Sequence, residues 1–181
     1  MLTISEYTSA QLTAAEMIQE SGIYITLAEI QQIEVVDFNL NHHSVEGVQR
    51  LTLLQTDHIC VQIFVLFPHQ IQPELCHPPF KDNPGKEETF RVISGSIFLY
   101  LPGGDQLNES IIPAGKRRFF TSHKEIILQP GAQITIQAGT RHWYRADSEG
   151  GIMFCFSNGS YENRDKFSDP MANWTTQIGD D

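Results

Sequence analysis

The spacing of apolar positions changes character once along this chain. Up to about residue 33 they return at three- and four-residue intervals; beyond that they alternate with polar residues or gather in short runs. The first pattern predicts a helix capped by Ser9 and running to about Glu20, with Leu12, Ala15 and Ile18 on one face and Gly22 as its stop. A second short helix is predicted from Thr26, using Leu27, Ile30 and Ile33. The second pattern predicts strands at 35–40, 48–54, 59–66, 90–101, 125–128, 133–137, 142–146 and 152–156, rich in Val, Ile, Phe and Thr and separated by Pro, Gly, Asn or Asp. Many short, turn-punctuated strands favour an all-β sandwich or barrel over a parallel α/β sheet. The chain is thus expected to comprise an N-terminal helical segment, 1–34, packed on a barrel, 35–170, and a C-terminal tail, 171–181, lying on the surface. Residues Leu101 to Asp105 read as a turn opening a long polar connection that carries Lys116-Arg117-Arg118.

Composition narrows the class. At 181 residues, 40% hydrophobic and 19% charged, the chain suits one globular domain with a full core. A net charge of −10 argues against a nucleic-acid or anionic-membrane partner, because either demands a basic face; the acidity is read as solubility. The three cysteines, Cys60, Cys76 and Cys155, form no CxxC and cannot all pair with one another. With no leader pattern at the N-terminus and no uncharged run of bilayer length, a reducing, cytoplasmic setting with free thiols is expected.

Strand alternation then sorts the chemistry. Leu75 and His77 share one face and Cys76 takes the other. If the chain is extended from Lys86, then Lys86, Glu88, Phe90 and Val92 point one way and Glu87, Thr89 and Arg91 the other. His142 shares a face with Tyr144, and Met153 with Cys155 and Ser157. A barrel interior built from these positions holds His77, Lys86, Glu88, Phe90, His142, Tyr144 and Cys155, a small polar pocket with an aromatic wall. Two imidazoles and a carboxylate are the raw material of a divalent-metal site. Elsewhere, Glu74 is read as a nearby carboxylate or an exposed loop residue, His123 as a surface histidine or a replacement ligand, and Lys116-Arg117-Arg118 as a solvated loop. His42, His43, His58 and His69 lack ligand spacing.

Glu88, six intervening residues and Gly95 match the end of the first cupin motif. Gly131, five residues, Gln137-Ala138-Gly139, two residues and His142 match the second, with Gln137 where proline is usual. Asp37-Phe38, Glu46-Gly47, Pro73-Glu74, His77-Pro78-Pro79, Gly85-Lys86-Glu87-Glu88-Thr89-Phe90-Arg91, His142-Trp143 and Phe167-Ser168-Asp169-Pro170 follow in the order seen in cupin-type D-lyxose ketol-isomerases, which the chain resembles over about residues 15–170. The resemblance implies a jelly-roll β-barrel with short N-terminal helices, a divalent metal (manganese above all, with zinc, iron or nickel compatible) and aldose–ketose interconversion on a small sugar. It implies His77, Glu88 and His142 as metal ligands. Alternation sets Lys86 beside Glu88, where in an isomerase it would stabilise the oxyanion. The inward set gives Lys86, Phe90, Tyr144 and Cys155 as sugar contacts, with core packing as the other reading of Phe90 and a pocket hydroxyl as the reading of Tyr144. Two positions depart from the pattern. Leu75 stands where the family has its first metal histidine, and Cys155 where it presents an inward glutamate that moves the proton. These departures leave open a cupin that binds a sugar or small metabolite without turnover. Open sheet edges lead to the expectation of a homodimer.

Overall fold

The computed structural model describes residues 1–104, 107–159 and 162–180; Asp105, at the end of the expected turn, lies outside them. A first strand, β1 (Leu2–Thr3), leads into α1 (Ile4–Glu20), and α2 (Leu27–Gln31) follows. Then come β2 (Glu34–Val36), β3 (Val48–Gln55), β4 (Cys60–Leu66), β5 (Ile71–Cys76), β6 (Glu88–Leu101), β7 (Lys124–Leu128), β8 (Gln133–Ile136) and β9 (His142–Ser157). The short strands β10 (Lys166–Phe167) and β11 (Ile178–Gly179) complete the described chain. Among the described residues, nine strands join one curled sheet, while β1 and β11 pair in parallel as a separate ribbon.

The barrel is organised by its two longest strands. β6 and β9 pair antiparallel from Glu88↔Ser157 to Tyr100↔Trp143. The far edge of β6 takes β8 at one end and β7 at the other, and the far edge of β9 takes β4 and β5 in the same way. This one antiparallel strand pair therefore belongs to both walls and must bend where they meet. The bend falls at the register shifts around Ser94 and Gly95. Gly95 has φ +69°, and a Cβ there would stand 2.1 Å from the Gly150 carbonyl oxygen, so only glycine fits. The bulge also reverses the alternation: Phe90 and Val92 face the interior before it, Ile97 and Leu99 after it. On β9, Tyr144 and Ala146 give way to Met153 and Cys155. Sequence pattern splits β9 into two strands because Gly150-Gly151 interrupts its apolar run, yet it is one strand, whose ladder to β6 breaks after Ala146↔Ile97 and resumes at Gly151↔Gly95.

β4 is buried on both faces, which explains its apolar run from Ile63 to Leu66. Phe64 and Leu66 enter the barrel core; Ile63 and Val65 pack under α1 with Ala14, Ala15 and Ile18. Helix α1 starts earlier than its apolar spacing predicts, because Thr3 and Glu6 form a reciprocal capping box that satisfies the first-turn amides. The buried face that results contains Ala10, Ala14, Ala15 and Ile18 and leaves Leu12 exposed. Strand 35–40 stops at Val36 because Phe38 and Asn39 take left-handed φ values of 55° and 60°.

The C-terminal tail is more than a surface segment. Trp174 packs its ring 5.3 Å from that of Phe38 and 5.5 Å from that of Phe167, and β11 pairs with β1. Two corrections concern polar residues. Glu74 is neither a loop residue nor a site carboxylate. It is buried in β5 and accepts hydrogen bonds from the Thr121 and Ser122 amides, each at 2.7 Å, and from the Thr121 and Ser168 hydroxyls. Lys116 is no solvated decoration, since its Nζ lies 2.7 Å from Glu46 and 3.1 Å from Asp169. His123 donates to or accepts from its own loop, beside Arg117 and the Phe120 carbonyl, and does not join the imidazoles of the barrel.

Candidate active site

The three residues expected to hold a metal converge inside the barrel. One donor atom from each of His77, Glu88 and His142 lies within 4.8 Å of the others, and all three residues are buried. Each comes from a different piece of the fold. His77 follows the end of β5, Glu88 opens β6 and His142 opens β9. The loops around them are tied together. The Gly139 amide donates to the His77 carbonyl at 2.9 Å, joining the turn of the second motif to the approach to the first. Gly85 has φ +102°, and a Cβ on it would stand 2.5 Å from the same carbonyl. Glycine before Lys86 therefore lets the loop press close enough to deliver the lysine inward.

Hydrogen bonding defines the chemistry of each donor. Glu88 Oε2 lies 2.8 Å from His77 Nε2, and Oε1 lies 2.8 Å from Lys86 Nζ. The Cys155 thiol points at Oε1 with its sulfur 3.7 Å away. His142 uses Nδ1 to donate to the Thr140 carbonyl at 3.0 Å. That bond leaves the lone pair on Nε2, which faces Glu88 Oε2 at 3.5 Å. Nε2 is buried and has no hydrogen-bond partner among the described residues. A buried nitrogen lone pair with nothing to accept from is costly in a folded protein, and a cation between the two imidazoles and the carboxylate would satisfy it. The donor set therefore fits a divalent metal.

The charges are mutually tuned. Burial alone would raise the Glu88 carboxyl, but Lys86 and His77 outweigh it and hold the group well below the usual carboxylate range. Burial pulls Lys86 down, and the opposing pull of Glu88 and Asp165 is stronger, so the ammonium stays charged. For Cys155, burial and the Glu88 charge act together to push the thiol well above its ordinary value. Phe90 and Tyr144 are buried beside these donors, with ring centroids 5.4 Å apart. The Tyr144 hydroxyl is spent on Gln72, so this residue offers a surface rather than a free hydroxyl. The inward set read from alternation is thus brought together in full, and Leu75 sits beside it, buried and paired across the sheet with His142.

Comparison with known proteins follows from this geometry. No family model matches the chain. It is 41% identical to the D-lyxose ketol-isomerase of Cohnella laeviribosi over 169 residues, covering 93% of both chains. The chain belongs to the D-lyxose ketol-isomerase family. The D-lyxose/D-mannose isomerase of Thermosediminibacter oceani is 39% identical over 181 residues, 99% of this chain and all of that one. Among solved structures, the L-ribose isomerase of Cellulomonas parahominis superposes with a TM-score of 0.84 over 98% of both chains at 14% identity, a likeness of fold. The cupin jelly roll is the fold of this isomerase-like chain.

One residue at the site escaped the sequence reading. Asp165 accepts from His77 Nδ1 and lies 3.8 Å from Lys86 Nζ, its side chain almost fully buried. It precedes β10 in a segment with no ligand spacing, and only the pairing of β10 on β5 brings it here. Asp165 also borders a cavity of about 700 Å³, with Phe167, Asn173 and Trp174 among its walls.

Proposed function

We propose that this protein interconverts D-lyxose, or a small aldose of the same configuration around C2, and the corresponding ketose. His77, Glu88 and His142 would hold a divalent metal, manganese by preference, with zinc, iron and nickel compatible with the same donors. The observation that carries this reading is the unpartnered His142 Nε2 facing a carboxylate and a second imidazole, in a chain about 40% identical to D-lyxose isomerases. When bound, the metal would supply Lewis acidity that makes the C–H on the hydroxyl-bearing carbon next to the sugar's carbonyl more acidic.

The chain's own residues set up the rest. Lys86 presents a fixed positive charge to the substrate oxygen on which negative charge develops as the proton leaves carbon, and its burial strengthens that interaction. Phe90 and Tyr144 give the sugar an apolar face to rest on and keep water out. Cys155, with its thiol protonated, lines the pocket as a neutral donor. The net reaction moves one proton from C2 to C1 and one from the C2 hydroxyl to the C1 oxygen, and needs no external oxidant or reductant.

The test is conversion of D-lyxose to D-xylulose by metal-free protein before and after addition of Mn²⁺. Turnover that appears with Mn²⁺ supports the reading; bound Mn²⁺ without turnover of D-lyxose or D-mannose defeats it. Leu75 and Cys155 favour a second reading, a sugar-binding protein without turnover. In that case the natural chain stays inactive with metal bound, and the double substitution Leu75→His with Cys155→Glu creates activity.

A further inference from the structure

The two imidazoles of the site are backed by different groups. His142 donates its Nδ1 proton to a neutral backbone carbonyl, Thr140. His77 donates its own to a buried carboxylate, Asp165. The register explains the pairing: Lys166 lies opposite Cys76 and Phe167 opposite Leu75, so the next position along this antiparallel ladder sets Asp165 against His77. Asp165 contacts the far side of the ring from Glu88, which meets Nε2. It therefore does not reach the point where the three donor atoms converge.

Asp165 is itself held from behind. The Trp174 indole N–H donates to Oδ2 at 2.8 Å. Trp174 in turn is fixed by Phe38 and Phe167 and by the Arg50 guanidinium, 5.0 Å above its ring. Arg50 also clamps Glu162, at the start of the turn that leads into Asp165. Indole, carboxylate and imidazole thus form a line running from the C-terminal segment into the barrel.

Resting on the metal-site reading above, we propose that Asp165, oriented by Trp174, is a positioning residue for His77. It fixes the ring angle and makes Nδ1 the protonated nitrogen, so that the Nε2 lone pair is directed at the metal with increased basicity. In a centre where Leu75 supplies no donor, a carboxylate-backed His77 strengthens one of the two imidazoles that remain.

The experiment is direct Mn²⁺ binding, read by electron paramagnetic resonance, on wild type, Asp165→Asn, Asp165→Glu, Trp174→Phe and His77→Ala, with the thermal midpoint of each metal-free protein as the folding control. Asp165→Asn keeps the volume and removes the charge. It is expected to weaken Mn²⁺ binding about 10- to 100-fold with little change in midpoint. Asp165→Glu should recover part of the loss, and Trp174→Phe should show a smaller one. Mn²⁺ affinity unchanged in Asp165→Asn, while His77→Ala loses binding, overturns the role of Asp165 and leaves the metal site standing. Wild-type protein that binds no Mn²⁺ overturns both.

Discussion

Cys155 donates its thiol hydrogen to Glu88, with Sγ 3.7 Å from Oε1. Burial and that same carboxylate hold the thiol protonated. Cys60 and Cys76 are also buried, and burial raises both. Thiol reagents attack the thiolate. Native protein at pH 8 is therefore expected to show no rapidly reacting thiol with a disulfide reagent, and all three after denaturation. A fast-reacting Cys155 in the native state would show that it is available as a base.

Lys86 and Glu88 are each other's compensation. Removing the ammonium by Lys86→Met leaves a buried carboxylate short of its main cation, and metal-free protein should lose about 3–5 kcal/mol of stability in urea unfolding. If Lys86 also stabilises charge on the substrate oxygen, kcat of the Mn²⁺-loaded variant should fall by about 10²–10³ while Mn²⁺ still binds. A variant that is destabilised yet fully active would confine Lys86 to a structural role.

The same pair fixes the sign of an acid dependence. Glu88 titrates lower in the folded state than in the unfolded chain, because Lys86 and His77 outweigh its burial. Its stabilising contribution is therefore complete above the unfolded carboxylate value of about 4.3 and is lost as pH falls below it. The thermal midpoint of metal-free protein should drop steadily from pH 4.5 downwards, and Glu88→Gln should flatten that slope.

Gly95 tests the architecture independently of the chemistry. Gly95→Ala would force a Cβ to within 2.1 Å of the Gly150 carbonyl at φ +69°. The strand pair shared by both walls would have to open, at a cost of about 4 kcal/mol or more. The expected result is little folded protein, measured by urea unfolding of whatever is recovered.

The inward site was legible in the sequence because strands impose a two-residue period. Once Glu88 is set inward, Lys86 and Phe90 follow, and Glu87 and Arg91 are sent to solvent. Glycines marked the turns that bring His77 and His142 together. Less was legible where long-range pairing decides. β5 is buried along its whole length, so its mixture of Gln, Pro and Glu hides the strand until Glu74 is seen serving residues 121, 122 and 168. Asp165 and Trp174 carry no local signal at all, since their roles depend on β10 docking beside His77 from nearly ninety residues away. The bulge at Gly95 was visible as a motif glycine, but its reversal of alternation on both long strands was not.

The account stands on three donor atoms meeting at one point, and metal stoichiometry measures that most directly. Metal-free protein dialysed against Mn²⁺ should take up one equivalent per chain, and His142→Ala, which removes the unpartnered nitrogen, should take up none. Equal uptake by both proteins, or none by either, would contradict it.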